Sequence, residues 1–297
     1  MYKIILYCLV AIVLLWIVRE KCTSSHHVTR THKRTNNRIL SYNIQRMPYS
    51  TKPLNQLYLL FRKYSIVLLQ ESFLNVLYDD IEYTFGDYHI VKGTMSGYRL
   101  VNSGLIILSK YPILYHTFIP FVSQDYLTSD VLSEKGFLVA KIEMNRTPMY
   151  IINTHLQSNI SKNNYTTAMN QWAELHTYVA RLTEPWLIGG DFNIHFRTIE
   201  SNYAMFAPCS PTIYIKYKND KETDTSCCQK KGYEPYVFDY FITKDIHLTT
   251  PTSVHFGYSD HLPISTTFFI VDKALSKGQT LDILKRDEKN HLFERAM

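Results

Sequence analysis

The chain has 297 residues, of which 45% are hydrophobic and 20% are charged. This composition excludes an intrinsically disordered protein and is typical of one sizeable globular domain. The formal net charge of +6 comes mainly from a basic stretch near the N-terminus, so the rest of the chain is close to neutral. A nearly neutral domain lacks the general positive field of a protein that binds polyanions.

The first predicted element is an apolar segment at the N-terminus. Residues 4–18 carry no charge, and Lys3 and Arg19 flank them. A helix that crosses a bilayer needs about 17 to 25 residues, so this segment is at the lower limit. We predict a single-pass membrane anchor over residues 1–20, with a cleaved signal peptide and a secreted protein as the alternative. The flanking charges do not fix the side of the membrane on which the domain lies.

Residues 21–38 form a basic, polar stretch, which we interpret as a linker that is either solvated or rests on anionic lipid headgroups. The cysteines have no metal-type C-x-x-C spacing. A bridge from Cys209 to Cys227 or Cys228 and free thiols both remain open. The cysteines are Cys8, Cys22, Cys209, Cys227 and Cys228.

Short β-type runs alternate with polar or helical stretches through residues 39–272, which we assign to one catalytic domain. This alternation indicates an α/β or α+β layered fold. Residues 201–235 are polar and tyrosine-rich and are predicted to be a long surface insertion, and residues 273–297 to be a polar tail. The predicted strands are 39–44, 66–70, 105–109, 136–143, 149–153, 186–189, 236–243 and 264–271, and the predicted helices are 54–64 and 165–182.

Polar side chains of catalytic type follow the predicted strands. Side chains at the ends of several strands can converge on one site at a sheet edge. The residues in question are Asn43, Glu71, His155, Asp191, Asn193, Asp239, Asp260 and His261.

These residue types suit the hydrolysis of a phosphodiester. Glu71 and Asn43 supply the oxygen ligands that Mg²⁺, or alternatively Mn²⁺, prefers. Asp191 is predicted to orient or deprotonate the attacking water. Asn193 is predicted to donate a hydrogen bond to a phosphate oxygen. His155 and His261 are predicted to stabilise the pentacoordinate state through further hydrogen bonds.

The motifs at 41–43, 69–72, 153–157, 189–193, 238–240 and 259–263 resemble those of the superfamily of deoxyribonuclease I and exonuclease III, the endonuclease/exonuclease/phosphatase superfamily. The resemblance implies a four-layer α/β-sandwich, in which two packed mixed β-sheets are flanked by helices. It also implies a metal bound by Glu71 beside Asn43, and a catalytic His261 oriented by Asp239.

The same resemblance assigns roles to the remaining motif residues. Asp191 and Asn193 fall on the family's Gly-Asp-x-Asn motif, and Asp260 falls on a residue that contacts metal or water. His155 matches a histidine that contacts the phosphate in the deoxyribonuclease and sphingomyelinase branches.

Two further segments indicate the branch. Residues 102–113 and 135–139 are most similar to neutral sphingomyelinases, which gives Asn102 and Lys135 as substrate-binding residues. We therefore predict that the chain hydrolyses sphingomyelin to ceramide and phosphocholine at a membrane surface. The alternatives are a membrane-tethered nuclease or another phosphodiesterase or phosphatase of the superfamily, and an inactive interaction module. The sequence indicates no obligate protein partner.

Overall fold

The computed structural model describes residues 37–46, 55–73, 75–94, 101–125, 129–158, 165–195, 213–214, 237–249, 251–254 and 256–271. The strands in chain order are β1 (Arg38–Arg46), β2 (Ile66–Ser72), β3 (His89–Lys92), β4 (Ile106–Ser109), β5 (Ile113–Pro120), β6 (Gly136–Met144), β7 (Thr147–His155), β8 (Trp186–Asp191), β9 (Ile213–Tyr214), β10 (Asp239–Lys244), β11 (Ile246–Leu248), β12 (Thr252–Ser253) and β13 (Ile264–Ile270). The helices are α1 (Asn55–Phe61), α2 (Asn75–Thr84) and α3 (Thr166–Val179), with a 3₁₀ turn at Ser129–Leu132.

These strands form two mixed sheets. The first has the order β11-β13-β1-β2-β4-β3, with β12 also paired to β13, and the second has the order β5-β6-β7-β8-β10-β9. One parallel pair lies near the centre of each sheet, β1 with β2 and β7 with β8. Because parallel neighbours end at the same edge, each pair brings two strand ends together.

The packing of these sheets gives the fold its four layers. A core cluster that includes Leu68 and Ile107 of the first sheet and Leu138 and Phe241 of the second lies between the sheets. A second cluster joins the outer face of the first sheet to α1 and α2, and a third joins the outer face of the second sheet to α3. The predicted α/β-sandwich of two mixed sheets with flanking helices is confirmed.

Most predicted elements overlap an observed one within a few residues. The predicted strand at 236–243 begins only at Asp239, and the predicted helix at 54–64 ends at Phe61. The elements that were not predicted are α2 and the strands β3, β5, β9, β11 and β12. In β5, Leu114, Tyr115 and His116 are consecutively exposed, so this strand lacks the strict alternation of a half-buried strand.

Several predicted segments lie outside the described residues. These are residues 1–20, almost all of the linker at 21–38, the tail at 273–297 and the cysteines. Within the predicted insertion at 201–235, the short strand Ile213–Tyr214 pairs with β10 at the edge of the second sheet.

The predicted localisation through a single-pass membrane anchor is corrected by the structure. No helix in the part of the chain that the structure describes is long and apolar enough to cross a membrane. The longest of these helices is α3, whose 14 residues extend for about 21 Å, whereas the hydrocarbon core of a bilayer is about 30 Å thick.

Candidate active site

The candidate site lies where strands from both sheets end, in the layer between the sheets. In β8, Leu187 and Asp191 point into this layer, and Ile188 points to the outer face. Register places His155 of β7 and Asp239 of β10 directly beside Asp191. The strand-end convergence predicted from the sequence is therefore present in the structure.

Glu71 reaches the site through its backbone conformation. Simple alternation along β2 would send its side chain outward, because Leu69 packs in the outer cluster with the helices. Its φ of 53° lies in the left-handed region, which is uncommon for a residue other than glycine. This change of direction allows the carboxylate to accept a hydrogen bond from the side chain of Asn43, 2.9 Å away.

Asn43 joins two carboxylates that come from different sheets. Its Nδ2 donates to Glu71 Oε1 at 2.9 Å and to Asp191 Oδ2 at 3.0 Å. Its Oδ1 accepts from the backbone N–H of Gln45 at 3.1 Å. In this orientation the amide contributes a donor to the site, whereas the sequence reading assigned its oxygen to a metal.

Asp191 is at the centre of the cluster. Its Oδ2 lies 3.6 Å from His155 Nε2 and 3.5 Å from His261 Nε2. Its Oδ1 accepts from the backbone N–H of Asn193 at 2.9 Å, and Asn193 has a φ of 49°. This local turn explains the Asp-x-Asn spacing, because an aspartate readily bonds the backbone two residues ahead.

Two contacts hold His261, one through its ring and one through its backbone. Its Nδ1 lies 2.8 Å from Asp239 Oδ2, and its backbone N–H donates to Ser259 Oγ at 3.1 Å. The carboxylate at Nδ1 directs the Nε2 atom toward Asp191. The predicted pairing of Asp239 with His261 is thus present in the geometry.

The two histidines differ in charge: one is neutral and the other is cationic. Burial and the nearby Lys135 ammonium lower the pKa of His155 to about 3, so its ring is neutral. Burial also lowers the pKa of His261, but the carboxylates of Asp239 and Asp191 outweigh it and raise the pKa to about 10. For the carboxylic acid Glu71, burial acts in the other direction and raises the pKa, because it disfavours the charged form.

The site contains more carboxylates than cations, which fits a divalent metal. Side-chain atoms of Asp191, Asp239 and His261 all lie within 4.8 Å of one another, a grouping that could hold an ion. This set differs from the predicted ligands Asn43, Glu71 and Asp260. Within this grouping, Nδ1 of His261 already contacts Asp239 Oδ2 at 2.8 Å.

The remaining predicted residues lie around this centre. Asp260 is half-buried, and its Oδ1 accepts from Ser259 Oγ at 3.2 Å. Asn102 is buried, and its Oδ1 accepts from the backbone N–H of Gly104 at 2.8 Å. Gly104 has a φ of 70°, so Asn102 stabilises a turn beside β4.

Lys135 is almost completely buried, which is unusual for a lysine. Its Nζ donates to the backbone carbonyl of Leu156 at 3.3 Å and lies 3.5 Å from Asp130 Oδ2. The sequence reading missed Asp130, which also accepts from Gln157 Nε2 at 2.9 Å and from the backbone N–H of Ser158 at 2.8 Å. Nothing in the local sequence distinguishes Asp130 from a solvated loop acid.

The sequence reading also missed Tyr42. Its hydroxyl donates to the carbonyl of Phe256 at 3.3 Å and accepts from the backbone N–H of Ser259 at 3.0 Å. Tyr42 precedes Asn43 in β1 and so ties this strand to the loop that carries His261. Its position inside an apolar strand run is typical of a core residue, so no local pattern indicated this contact.

The comparisons of this chain with known proteins agree with one another on its family. The chain matches the endonuclease/exonuclease/phosphatase family over residues 40–261. A sphingomyelinase C of Listeria ivanovii is 27% identical over 177 residues, which cover 55% of this chain and 52% of that protein. The chain thus spans about half of this relative's length.

Solved structures share the fold at lower identity. A beta toxin of Staphylococcus aureus with bound magnesium ions has a TM-score of 0.59 and 22% identity, covering 78% of this chain and 99% of that one. TDP2 of D. rerio in complex with a single-strand DNA product has a TM-score of 0.61 and 15% identity, covering 78% and 98%. At such identities the likeness shows the fold alone.

Proposed function

Because the chain belongs to the endonuclease/exonuclease/phosphatase family, we propose that it is a phosphodiester hydrolase and that its substrate is a choline-type phospholipid. The proposed reaction hydrolyses sphingomyelin to ceramide and phosphocholine by direct attack of water. One observation carries the hydrolytic part of the proposal: Asp191 Oδ2 lies within 3.6 Å of the Nε2 atoms of both His155 and His261.

The proposed roles follow from these charge states. Asp191 orients the attacking water and accepts its proton, because a carboxylate at this centre is within reach of a water bound between the two imidazoles. His261 is cationic near neutral pH, with a pKa of about 10, and donates from Nε2 to a phosphate oxygen. Neutral His155 contributes a further hydrogen bond without adding charge.

Lys135 and Asn193 complete the proposed phosphate site. Both donate to the backbone carbonyl of Leu156, so the ammonium and the amide are held side by side. A buried ammonium close to Glu71 and His155 is well suited to offset the negative charge that develops during hydrolysis.

A divalent cation such as Mg²⁺ or Mn²⁺ would be held by Glu71 and Asp191, with Asn43 and Asp260 nearby. When bound, it would polarise a phosphoryl oxygen and neutralise developing charge. Carboxylate oxygens in a buried, acid-rich cluster are the donors that such ions prefer.

Two observations favour a lipid over a nucleic acid. The sequence outside the basic N-terminal stretch is nearly neutral, whereas binding to a nucleic acid depends on neutralising many phosphates. The named relative is a sphingomyelinase C, and segments at 102–113 and 135–139 are the ones that resemble this branch.

A substrate panel tests the proposal. The panel contains sphingomyelin and phosphatidylcholine vesicles, inositol phosphates, and single- and double-stranded DNA, each with Mg²⁺ and with a chelator. We expect release of phosphocholine from sphingomyelin, no cleavage of DNA, and loss of turnover in the chelator. Cleavage of DNA without turnover of either lipid would overturn the choice of substrate.

The metal ligands are tested separately with Glu71→Gln. We expect this variant to need a higher Mg²⁺ concentration for half-maximal turnover, because the amide retains an acceptor but loses the charge. An unchanged Mg²⁺ requirement would remove Glu71 from the proposed ligand set.

A further inference from the structure

The peptide group between Leu156 and Gln157, just after the end of β7, links several parts of the site. Its carbonyl accepts from Lys135 Nζ at 3.3 Å and from Asn193 Nδ2 at 2.9 Å. The preceding N–H, that of Leu156, donates to the backbone carbonyl of Asp191 at 3.0 Å. The orientation of this one peptide group therefore fixes two side chains of the proposed phosphate site.

The opposite side of the same peptide group is held by helix α3. The N–H of Gln157 donates to Gln171 Oε1 at 2.7 Å, and Gln171 Nε2 donates to the carbonyl of Ser123 at 2.8 Å. The N–H and C=O of a trans peptide point in opposite directions. Fixing the N–H toward α3 thus directs the carbonyl toward Lys135 and Asn193.

Gln171 is an exception on its helix face. The buried side chains of α3 are otherwise Ala168, Trp172, Leu175 and Val179, all apolar. A fully buried glutamine is costly unless its amide is bonded, and Gln171 uses both its acceptor and its donor. An apolar side chain here would leave the buried N–H of Gln157 without this acceptor.

We propose that Gln171 is a positioning residue for phosphodiester hydrolysis, which acts by orienting the Leu156–Gln157 peptide group. It touches neither substrate nor metal and works through the carbonyl that holds Lys135 and Asn193. The inference rests on the proposed roles of these two residues, but it does not depend on which phosphodiester is the substrate.

The first test replaces Gln171 with Met, which keeps the length of the side chain and removes both hydrogen bonds. We expect kcat to fall by about 10- to 100-fold, the usual effect of losing a residue that supports a site from behind. The assay uses whichever phosphodiester of the panel the wild type turns over fastest. Thermal unfolding monitored by circular dichroism confirms that the variant is folded at the assay temperature.

Glu174→Ala is the matched control, one turn further along α3. Glu174 accepts from the backbone N–H groups of Val122 and Ser123 at 2.7 and 2.9 Å, so it holds the same loop but does not touch Gln157. We expect its kcat to stay within about twofold of wild type, the size of effect typical of surface changes away from a site. An equal loss in both variants would assign the effect to the loop and overturn the proposal.

A double-mutant cycle tests whether Gln171 acts through the carbonyl of Leu156. In a double-mutant cycle, Gln171→Met should cost little more in an Asn193→Ala background, because both act through the same carbonyl. Full additivity would overturn the proposal.

A readout without turnover separates this inference from the proposed function. In ¹⁵N–¹H spectra of the folded protein, we expect the side-chain amide of Asn193 to exchange faster in Gln171→Met than in wild type or in Glu174→Ala. Failure of the lipid assay together with this change would reject the substrate and keep the positioning role. An unchanged Asn193 amide would reject the positioning role itself.

Discussion

Burial and neighbouring charges together set the charge of each histidine at the candidate site. His261 contacts Asp239 at 2.8 Å, and this carboxylate with that of Asp191 raises the pKa of the imidazole despite its burial. His155 Nε2 lies 3.6 Å from Asp191 Oδ2, and His261 Nε2 lies 3.5 Å from the same atom. Burial and Lys135 nevertheless lower the pKa of His155. The site therefore holds one cationic and one neutral imidazole on either side of the same carboxylate.

Replacement of Asp191 tests the residue at the centre of this arrangement. We expect Asp191→Ala to fold and to lower kcat by a factor on the order of 10² to 10⁴, the usual contribution of a positioned acid or base. Steady-state turnover and the thermal midpoint should be measured together. Glu184→Ala, which removes a partly exposed carboxylate just before the other end of β8, should leave kcat unchanged. Full turnover in Asp191→Ala would exclude its role as the base.

The parallel strands β7 and β8 are the element that brings His155 and Asp191 together. Their close approach depends on Gly190, which has a φ of 152° and faces the backbone of Thr154. A Cβ atom at position 190 would lie 2.0 Å from the carbonyl oxygen of Thr154. The second glycine of the Gly-Gly-Asp motif is thus required for strand pairing beneath the site.

Gly190→Ala should destabilise this strand pair. We expect the free energy of unfolding to fall by about 2 to 4 kcal/mol, because the side chain meets backbone that cannot move aside and φ is strained. Urea unfolding measures the change. Gly86→Ala is the matched control, since a Cβ there meets nothing within 4 Å, and its effect should stay within about 1 kcal/mol. Equal effects at the two positions would contradict this account.

Helix α3 gives a pH dependence that is separate from the site. Burial lowers the pKa of His176, in the last turn of α3, below its ordinary value of 6.5. Below pH 6.5 the unfolded chain therefore binds more protons at His176 than the folded chain does. The neutral, buried imidazole costs no stability above pH 6.5, and the free energy of unfolding decreases as the pH falls below this value. His176→Gln should remove this loss, so wild type should become less stable relative to the variant on acidification. The urea midpoints of the two proteins, measured at neutral and at acidic pH, test this prediction. An equal change of the midpoint with pH in both proteins would refute it.

At the scale of the whole molecule, the two sheets are joined by a polar contact directly beneath the site. Gln70 Nε2 of the first sheet donates to Asn153 Oδ1 of the second at 2.7 Å. Asn153 Nδ2 donates in turn to the carbonyls of Leu69 and Ile106, at 2.8 and 3.0 Å. This contact fixes the spacing between the strand that carries Glu71 and the strand that carries His155.

Asn153→Leu tests this inter-sheet contact. We expect a loss of about 2 to 4 kcal/mol in the free energy of unfolding, because the buried Gln70 amide and two backbone carbonyls of the first sheet lose their hydrogen bonds with Asn153. The double variant with Gln70→Leu should be less destabilised than the sum of the single variants, because one further unpaired amide is removed. Urea unfolding of the four proteins gives the coupling energy. Strict additivity would show that the contact does not couple the sheets.

The sequence by itself determined the family, the layered fold and most of the strands. It could do so because motif residues stand at strand ends, and because apolar periodicity along Ile66–Ser72 or Thr147–His155 is a local property. Local patterns did not determine the localisation: the apolar N-terminal run led to a membrane anchor, and the described structure has no helix that could span a membrane.

Only the tertiary structure decided which groups meet. The left-handed φ of Glu71, the contact of Asp130 with Lys135, and the bond from Gln157 to Gln171 leave no mark in the sequence. Asn43 and Asp191 are 148 positions apart, and their 3.0 Å contact depends on how two sheets pack. Periodicity reports which face of a strand is buried, whereas catalytic geometry depends on distances between strands that are remote along the chain.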